Sequence, residues 1–202
     1  MKELLVATRN RKKLREIKEL LSDLPLRITS LDDYPDMPEI EEDGGSFAAN
    51  ALKKAATIAL YTGKLTMGED SGLEVKALGN APGIYSARYS GPGATDEKNN
   101  RKLLRALKNV PLSKRQARYR CFVALVDGER IVDVVSGNCQ GRIGLRPKGT
   151  NGFGYDPLFL IPRFNKTFGE LPPEAKARMS HRARALAKFR KVIRKYFKKN
   201  HQ

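Results

Sequence analysis

The sequence has few cysteines, few histidines and no long apolar runs. Its two cysteines, Cys121 and Cys139, form no CxxC and sit in no Cys/His cluster, which argues against a zinc site and offers little for a disulfide framework. No stretch is apolar for long enough to span a bilayer, and the opening MKELLVATRN meets Arg9 and Asn10 too soon for a signal peptide. The expectation is a cytoplasmic protein with no membrane partner. No GxxxxGK[ST] occurs, and the lysine of Tyr61-Thr62-Gly63-Lys64 lacks the upstream glycine, so a P-loop NTPase is disfavoured. There is no RRM, KH or zinc-finger pattern, and no repeat, linker or low-complexity segment. Acids are scarce as well: 22 against 39 lysines and arginines leave a net charge of +17. Such a charge favours anionic partners, whether a polynucleotide, an acidic membrane surface or a small polyanion such as a nucleoside triphosphate.

What is present describes a folded chain. At 202 residues, 40% hydrophobic and 30% charged, it fits one domain, 1–202, or two small lobes with a real core. Lys2–Thr8 reads as a buried strand, about Lys12–Leu21 as a helix and Leu26–Leu31 as a second strand. An acidic segment, Asp32–Asp43, holds seven acids and no base. Ser46 then caps a helix over FAANALKKAATIALY, and Leu65–Met67 is a third strand whose exit is MGEDSGL. Ser86–Tyr89 suits a short helix, and Thr95 caps another reaching Lys108. Gln116–Val126 alternates as a strand, Asp127-Gly128 turns it back through IVDVVSG, and a further strand falls near Gly141–Leu145. LFLI is an apolar strand. One long helix, from about Pro173 to Phe197, carries Leu186, Phe189, Ile193 and Phe197 on one face. The fold class is α/β with a mixed sheet.

Four short motifs carry chemistry. TRNRKK, Thr8–Lys13, lies at a strand end and helix start, where backbone amides, a hydroxyl and a lysine can cradle phosphate; the plainer reading makes Asn10 a cap and Lys13 a solvated side chain. Glu69 and Asp70 end a strand, the place where open α/β sheets gather ligands. Mg²⁺ asks for a few carboxylates plus phosphate oxygens and water, so one acid here and one from Glu41-Glu42 would suffice. Asp32, Asp33, Asp36 and Glu39 read as a solvated loop, with Glu42 grouped beside them. GTNGFGYD, Gly149–Asp156, is either a mobile hairpin loop or a place where Phe153 stacks on a ring and Asp156 accepts from a base edge. Ser180-His181-Arg182 lies one turn past Lys176. A lone helical histidine is more often structural than functional, and no nucleophile elbow accompanies it.

Taken together, ATRNRKKLREI, EIEEDGGSFAANALKKA, GEDSGLEVKALGNAPGIYSARYSG, GTNGFGYDPLF and MSHRARAL resemble, in order and spacing, the inosine/xanthosine triphosphate pyrophosphatase family over about residues 3 to 190. The resemblance implies a long mixed central sheet with helices in two lobes around a cleft, and Mg²⁺-dependent cleavage of deaminated purine triphosphates (ITP, dITP, XTP) to monophosphate and pyrophosphate. It implies a homodimer and a small-molecule substrate, with no specific nucleic acid. Thr8, Arg9, Asn10, Arg11, Lys12 and Lys13 match the phosphate segment, and Lys54 matches a second lysine that reaches the triphosphate. Glu41 and Asp70 match the metal ligands. Asp70 is also the catalytic acid, with Ser71 touching substrate. Phe153, Gly154, Tyr155 and Asp156 match the loop that holds the base, and Lys176, His181 and Arg182 its far wall. Glu69 stands where many relatives have Asp, and Ala175 replaces a common Glu; both leave the ligand types intact. The competing class is a basic nucleic-acid-binding protein, which would account for the nine basic residues of Arg182–Lys199 but for none of the motifs.

Overall fold

Leu4, Leu5 and Val6 are all fully buried, as expected of a strand covered on both faces. In the computed structural model, which describes residues 2–34, 36–37 and 40–199, they lie on β1 (Lys2–Val6). β1 pairs in parallel with β2 (Leu26–Ser30) and with β3 (Thr66–Val75). The reading of Glu39 as a solvated acid falls outside the described residues.

Two helices make the crossovers. α1 (Arg11–Leu20) is capped by Asn10, whose Oδ1 accepts from the amides of Lys12 and Lys13. α2 (Phe47–Thr62) is capped by the Ser46 hydroxyl and ends on Gly63 at φ 66°. α3 (Asp96–Ala106) starts on Thr95. β4 (Gln116–Asp127) and β5 (Arg130–Ile143) are joined by a tight turn through Gly128 at φ 58°. β6 (Phe159–Ile161) and β7 (Lys166–Thr167) add antiparallel pairs, giving a seven-stranded mixed sheet in the order β2-β1-β3-β4-β5-β6-β7. α4 (Pro173–Met179) and α5 (His181–Lys199) complete the chain. No helix among the described residues is long and apolar enough to cross a membrane.

The chain divides into two compact units, the first made of residues 1–70, 121–137 and 182–202 and the second of 71–120 and 138–181. In the first, Leu186, Phe189 and Ile193 of α5 join Leu4, Val6, Ile17, Met67 and Val123 in one buried cluster, so the apolar stripe read in the sequence faces a core. In the second, Leu73, Val75, Leu103, Leu107, Tyr119, Phe159 and Phe168 form the core. Each fully buried Leu or Phe contributes about 1.5–3 kcal/mol.

The structure departs from the sequence reading at four places. MGEDSGL is not a strand exit: β3 runs unbroken from Thr66 to Val75. Gly68 lies inside it because a Cβ there would stand 2.1 Å from the Ala51 carbonyl oxygen and 2.7 Å from the Ala55 amide nitrogen of α2. The glycine marks a close approach of backbones, not a turn. The separate strand near Gly141–Leu145 is the far end of a continuous β5. The long C-terminal helix breaks at Ser180, which sits at φ −63°, ψ 162° between α4 and α5. β7, two residues long, has no signature in the sequence.

Candidate active site

Side chains alternate across a strand, so Glu69 and Asp70, adjacent in β3 and both 3% exposed, point to opposite faces and find different partners. Asp70 Oδ2 accepts from Asn50 Nδ2 at 3.1 Å, and its Oδ1 lies 3.5 Å from Lys54 Nζ. Asn50 and Lys54 sit one helical turn apart on α2, the helix that Gly68 lets close onto β3. Lys54 Nζ also donates to Glu42 Oε1 at 2.6 Å, so a single ammonium joins two carboxylates. Burial raises the Asp70 carboxyl above its ordinary value, with the Lys54 and Lys13 ammonium groups opposing. For Lys54, burial alone would lower the pKa, but Asp70 and Glu42 outweigh it and the net direction is up.

Glu69 serves a different set. Arg182, 1% exposed, donates to Glu69 through Nη2 at 3.3 Å and Nε at 3.4 Å, and also to Glu16. Burial works against the guanidinium's charge, yet the Glu69 and Glu16 carboxylates hold its pKa above the ordinary value. Lys13 Nζ lies 3.8 Å from Glu69 Oε1, and Cys121 Sγ 3.5 Å from the same oxygen. The two adjacent acids thus have different direct partners, Asn50 and Lys54 for Asp70 and Arg182 for Glu69, while the Lys13 ammonium acts on both.

Among the other phosphate-segment residues, Thr8 Oγ1 accepts from the Asn10 amide at 3.1 Å. Asn10 is the helix cap, its plainer reading. Arg9 donates to the carbonyls of Leu31 and Met37 at 3.4 Å, and Arg11 to Asp32 at 3.4 Å, so both tie down the acidic segment. Lys12 and Glu41 are exposed; Glu42, beside Glu41, is the acid linked through Lys54 to Asp70. Ser71 follows on β3, half-buried.

The second unit holds the other group. Asp156, 1% exposed, receives Lys176 Nζ at 2.7 Å and the Phe153 amide at 2.8 Å, both on Oδ2. Gly152, at φ 78°, leaves room for that carboxylate: a Cβ there would lie 2.0 Å from Asp156 Oδ2. Lys176 Nζ also rests 4.6 Å from the centre of the half-buried Phe153 ring. Gly154 is gripped from both sides, its amide donating to Asp96 at 2.9 Å and its carbonyl accepting from Asn100 at 2.9 Å. Tyr155 turns inward, its hydroxyl donating to the Ser86 carbonyl at 2.8 Å, so it anchors the loop. His181, 4% exposed, stacks on Tyr119 with centroids 4.5 Å apart and planes 11° from parallel.

The sequence reading missed Asn50 as a partner of Asp70 and Glu16 as a partner of Arg182, grouped Glu42 with the solvated acids although it shares Lys54 with Asp70, and missed Asp96, Asn100 and Tyr119 as supports of the loop. Only Asn50 had a local hint, since it shares a helix face with Lys54.

A buried strand acid flanked by lysine and amide donors is the equipment of an enzyme working on phosphate anhydrides. Residues 4–192 match the model of the Ham1 family. The chain is 53% identical to a dITP/XTP pyrophosphatase of Geobacter sulfurreducens, over 93% of this chain and 94% of that protein. It is 47% identical to one of Shouchella clausii, over 96% and 97% respectively. Among solved structures, a HAM1 protein from Coxiella burnetii superposes with a TM-score of 0.88 at 39% identity, covering 96% of this chain and 100% of that one. The chain belongs to the Ham1 family.

Proposed function

We propose that this protein hydrolyses deaminated purine nucleoside triphosphates (dITP, XTP and ITP) to the monophosphate and pyrophosphate, clearing them from the nucleotide pool. It is a nucleoside triphosphate pyrophosphatase, and its relatives are named for dITP and XTP. The observation that carries the reading is the buried Asp70 held between Asn50 and Lys54.

Asp70 accepts the proton of a water attacking the α-phosphorus, and the upward shift that burial gives its carboxyl suits it to that task. Lys13 and Lys54 supply fixed positive charge for the phosphates. Thr8 to Lys12 complete the phosphate segment, and Ser71 touches the substrate. Asp70, Glu41 and Glu42 are the hard oxygen donors that would hold Mg²⁺. Two of the three fit a cation, since the Lys54 ammonium already lies against Asp70 and Glu42; Glu41 is exposed, and among the described residues no three His, Cys, Asp or Glu side chains stand close enough to hold a metal by themselves. Mg²⁺ ordinarily takes the rest of its shell from phosphate oxygens and water. When bound it neutralises phosphate charge.

For the base, Phe153 offers a stacking face, and Asp156 accepts an N–H that hypoxanthine and xanthine carry and adenine lacks. Gly154 and Tyr155 shape the loop, and Lys176 and His181 complete the wall. Arg182 reads the 6-carbonyl only by giving up a bond to Glu16 or Glu69. We read the enzyme as a cytoplasmic homodimer, a state that light scattering checks. Hydrolysis in ¹⁸O water tests the chemistry: label should enter the monophosphate, and label in free orthophosphate without added pyrophosphatase would overturn the assignment.

A further inference from the structure

Tyr119 reads from sequence as one inward position of an alternating strand, and a phenylalanine would fill that volume equally well. Its hydroxyl is nonetheless spent on one group. Tyr119 is 7% exposed, and its Oη donates to Asp156 Oδ1 at 3.4 Å. The opposite oxygen of that carboxylate is fixed by Lys176 and by the Phe153 amide, so the carboxylate is held from both ends. The Tyr119 ring lies flat against His181. Behind it, Phe159 packs at 4.5 Å and Phe168 at 6.4 Å between centroids, and these two stack on each other at 5.4 Å. The ring is therefore itself immobilised. One side chain thus touches two residues assigned to the base, the carboxylate through a hydrogen bond and the imidazole through a face.

We propose that Tyr119 is a positioning residue for base recognition, its hydroxyl orienting the Asp156 carboxylate and its ring fixing the plane of His181, a role that rests on the base reading given above. Burial, reinforced by Asp156, holds the phenol well above its ordinary pKa, so the hydroxyl remains a donor throughout the working range. A recognition carboxylate left free to rotate loses the pre-organisation that makes a hydrogen bond effective.

Tyr119→Phe deletes the hydroxyl and keeps the ring. It should raise KM for dITP about fivefold with kcat within about twofold, since a group that only orients base contacts acts on binding. The inhibition constant of inorganic triphosphate, which carries no base, should stay unchanged. Tyr119→Leu removes the stacking face too and should raise KM further; should that variant fail to fold, the near-isosteric Phe variant carries the test. In an Asp156→Ala background, Tyr119→Phe should add nothing, because residues acting through one another are non-additive. An unchanged KM in Tyr119→Phe, a fall in kcat alone, or full additivity with Asp156→Ala would overturn the proposal. If Asp156→Ala itself leaves KM for dITP and the preference over dATP unchanged, the base reading fails as well. If Asp156→Ala has its effect and Tyr119→Phe has none, only the role of Tyr119 fails.

Discussion

Asp70 and Glu69 are neighbours with separate duties, and single substitutions should tell them apart. Asp70→Asn keeps the shape and removes the proton acceptor and the charge; turnover should fall about 10²- to 10⁴-fold, the scale for a positioned acid–base group. Circular dichroism and steady-state rates check it, and a folded variant at near-normal rate would remove Asp70 from the mechanism. Arg182 poses a different problem. Its guanidinium is fully buried between Glu69 and the half-buried Glu16, so Arg182→Ala leaves the Glu69 carboxylate in the interior without its guanidinium and should destabilise the fold by about 3–5 kcal/mol. Adding Glu69→Gln removes one stranded charge and should recover part of that loss in urea unfolding. If the double variant is no more stable than Arg182→Ala, the pairing is not what Arg182 contributes.

At the level of elements, the meeting of α2 with β3 decides the site, and it turns on Gly68. Gly68→Ala would push a methyl into the backbone of Ala51 and Ala55. It should cost about 1–3 kcal/mol in denaturant melts, the usual range for overpacking, and lower turnover as well, because Asn50 and Lys54 ride on the displaced helix. Wild-type stability in this variant would mean that α2 does not lie where described. A second element, the acidic segment after β2, is pinned through Glu3. The Tyr34 hydroxyl first, then the Lys64 ammonium and the Thr29 hydroxyl, lower the Glu3 carboxyl from 4.5 to about 2. A carboxyl depressed on folding stabilises above its unfolded value and loses that contribution as pH falls through the folded one. Glu3→Gln should therefore cost about 1 kcal/mol at neutral pH, screening included. That difference should vanish between about pH 4.5 and pH 2; a gap independent of pH would refute the account. Much of this was legible beforehand. The caps Asn10, Ser46 and Thr95, the Gly128 turn and the alternation of Gln116–Val126 are local signals with local causes. β3 was misread because Gly-Glu-Asp-Ser-Gly has turn composition, and only the distant backbone of α2 explains its glycine. Ser180 breaks a helix without Pro or Gly to announce it. Asp156 was visible through its glycine-rich motif, and Lys54 only through the family resemblance. Glu16 and Tyr119 were not, since each matters through a partner far away in sequence.

For the molecule as a whole, the charge of +17 is the feature that most suggests a polynucleotide partner. Much of α5's charge is engaged locally: Arg182 with Glu16 and Glu69, Arg190 and Arg194 with Asp23, and Lys188 with the Ser136 carbonyl. Any RNA binding should accordingly be weak, indifferent to sequence and steeply reduced by salt. A salt titration by fluorescence anisotropy decides it, and tight, sequence-selective binding at physiological salt would reverse the ranking against the nucleic-acid class. The interleaving of the two units reaches beyond the finished fold. The first unit draws on three separate stretches, the third beginning at Arg182, and Leu186, Phe189 and Ile193 in that stretch complete the cluster around Leu4 and Val6. A nascent chain therefore emerges from the ribosome with the Leu4 and Val6 face of β1 incompletely covered until α5 has been made. Both stretches of the second unit leave the tunnel before the first can close, which inverts the usual vectorial order in which the N-terminal portion settles first.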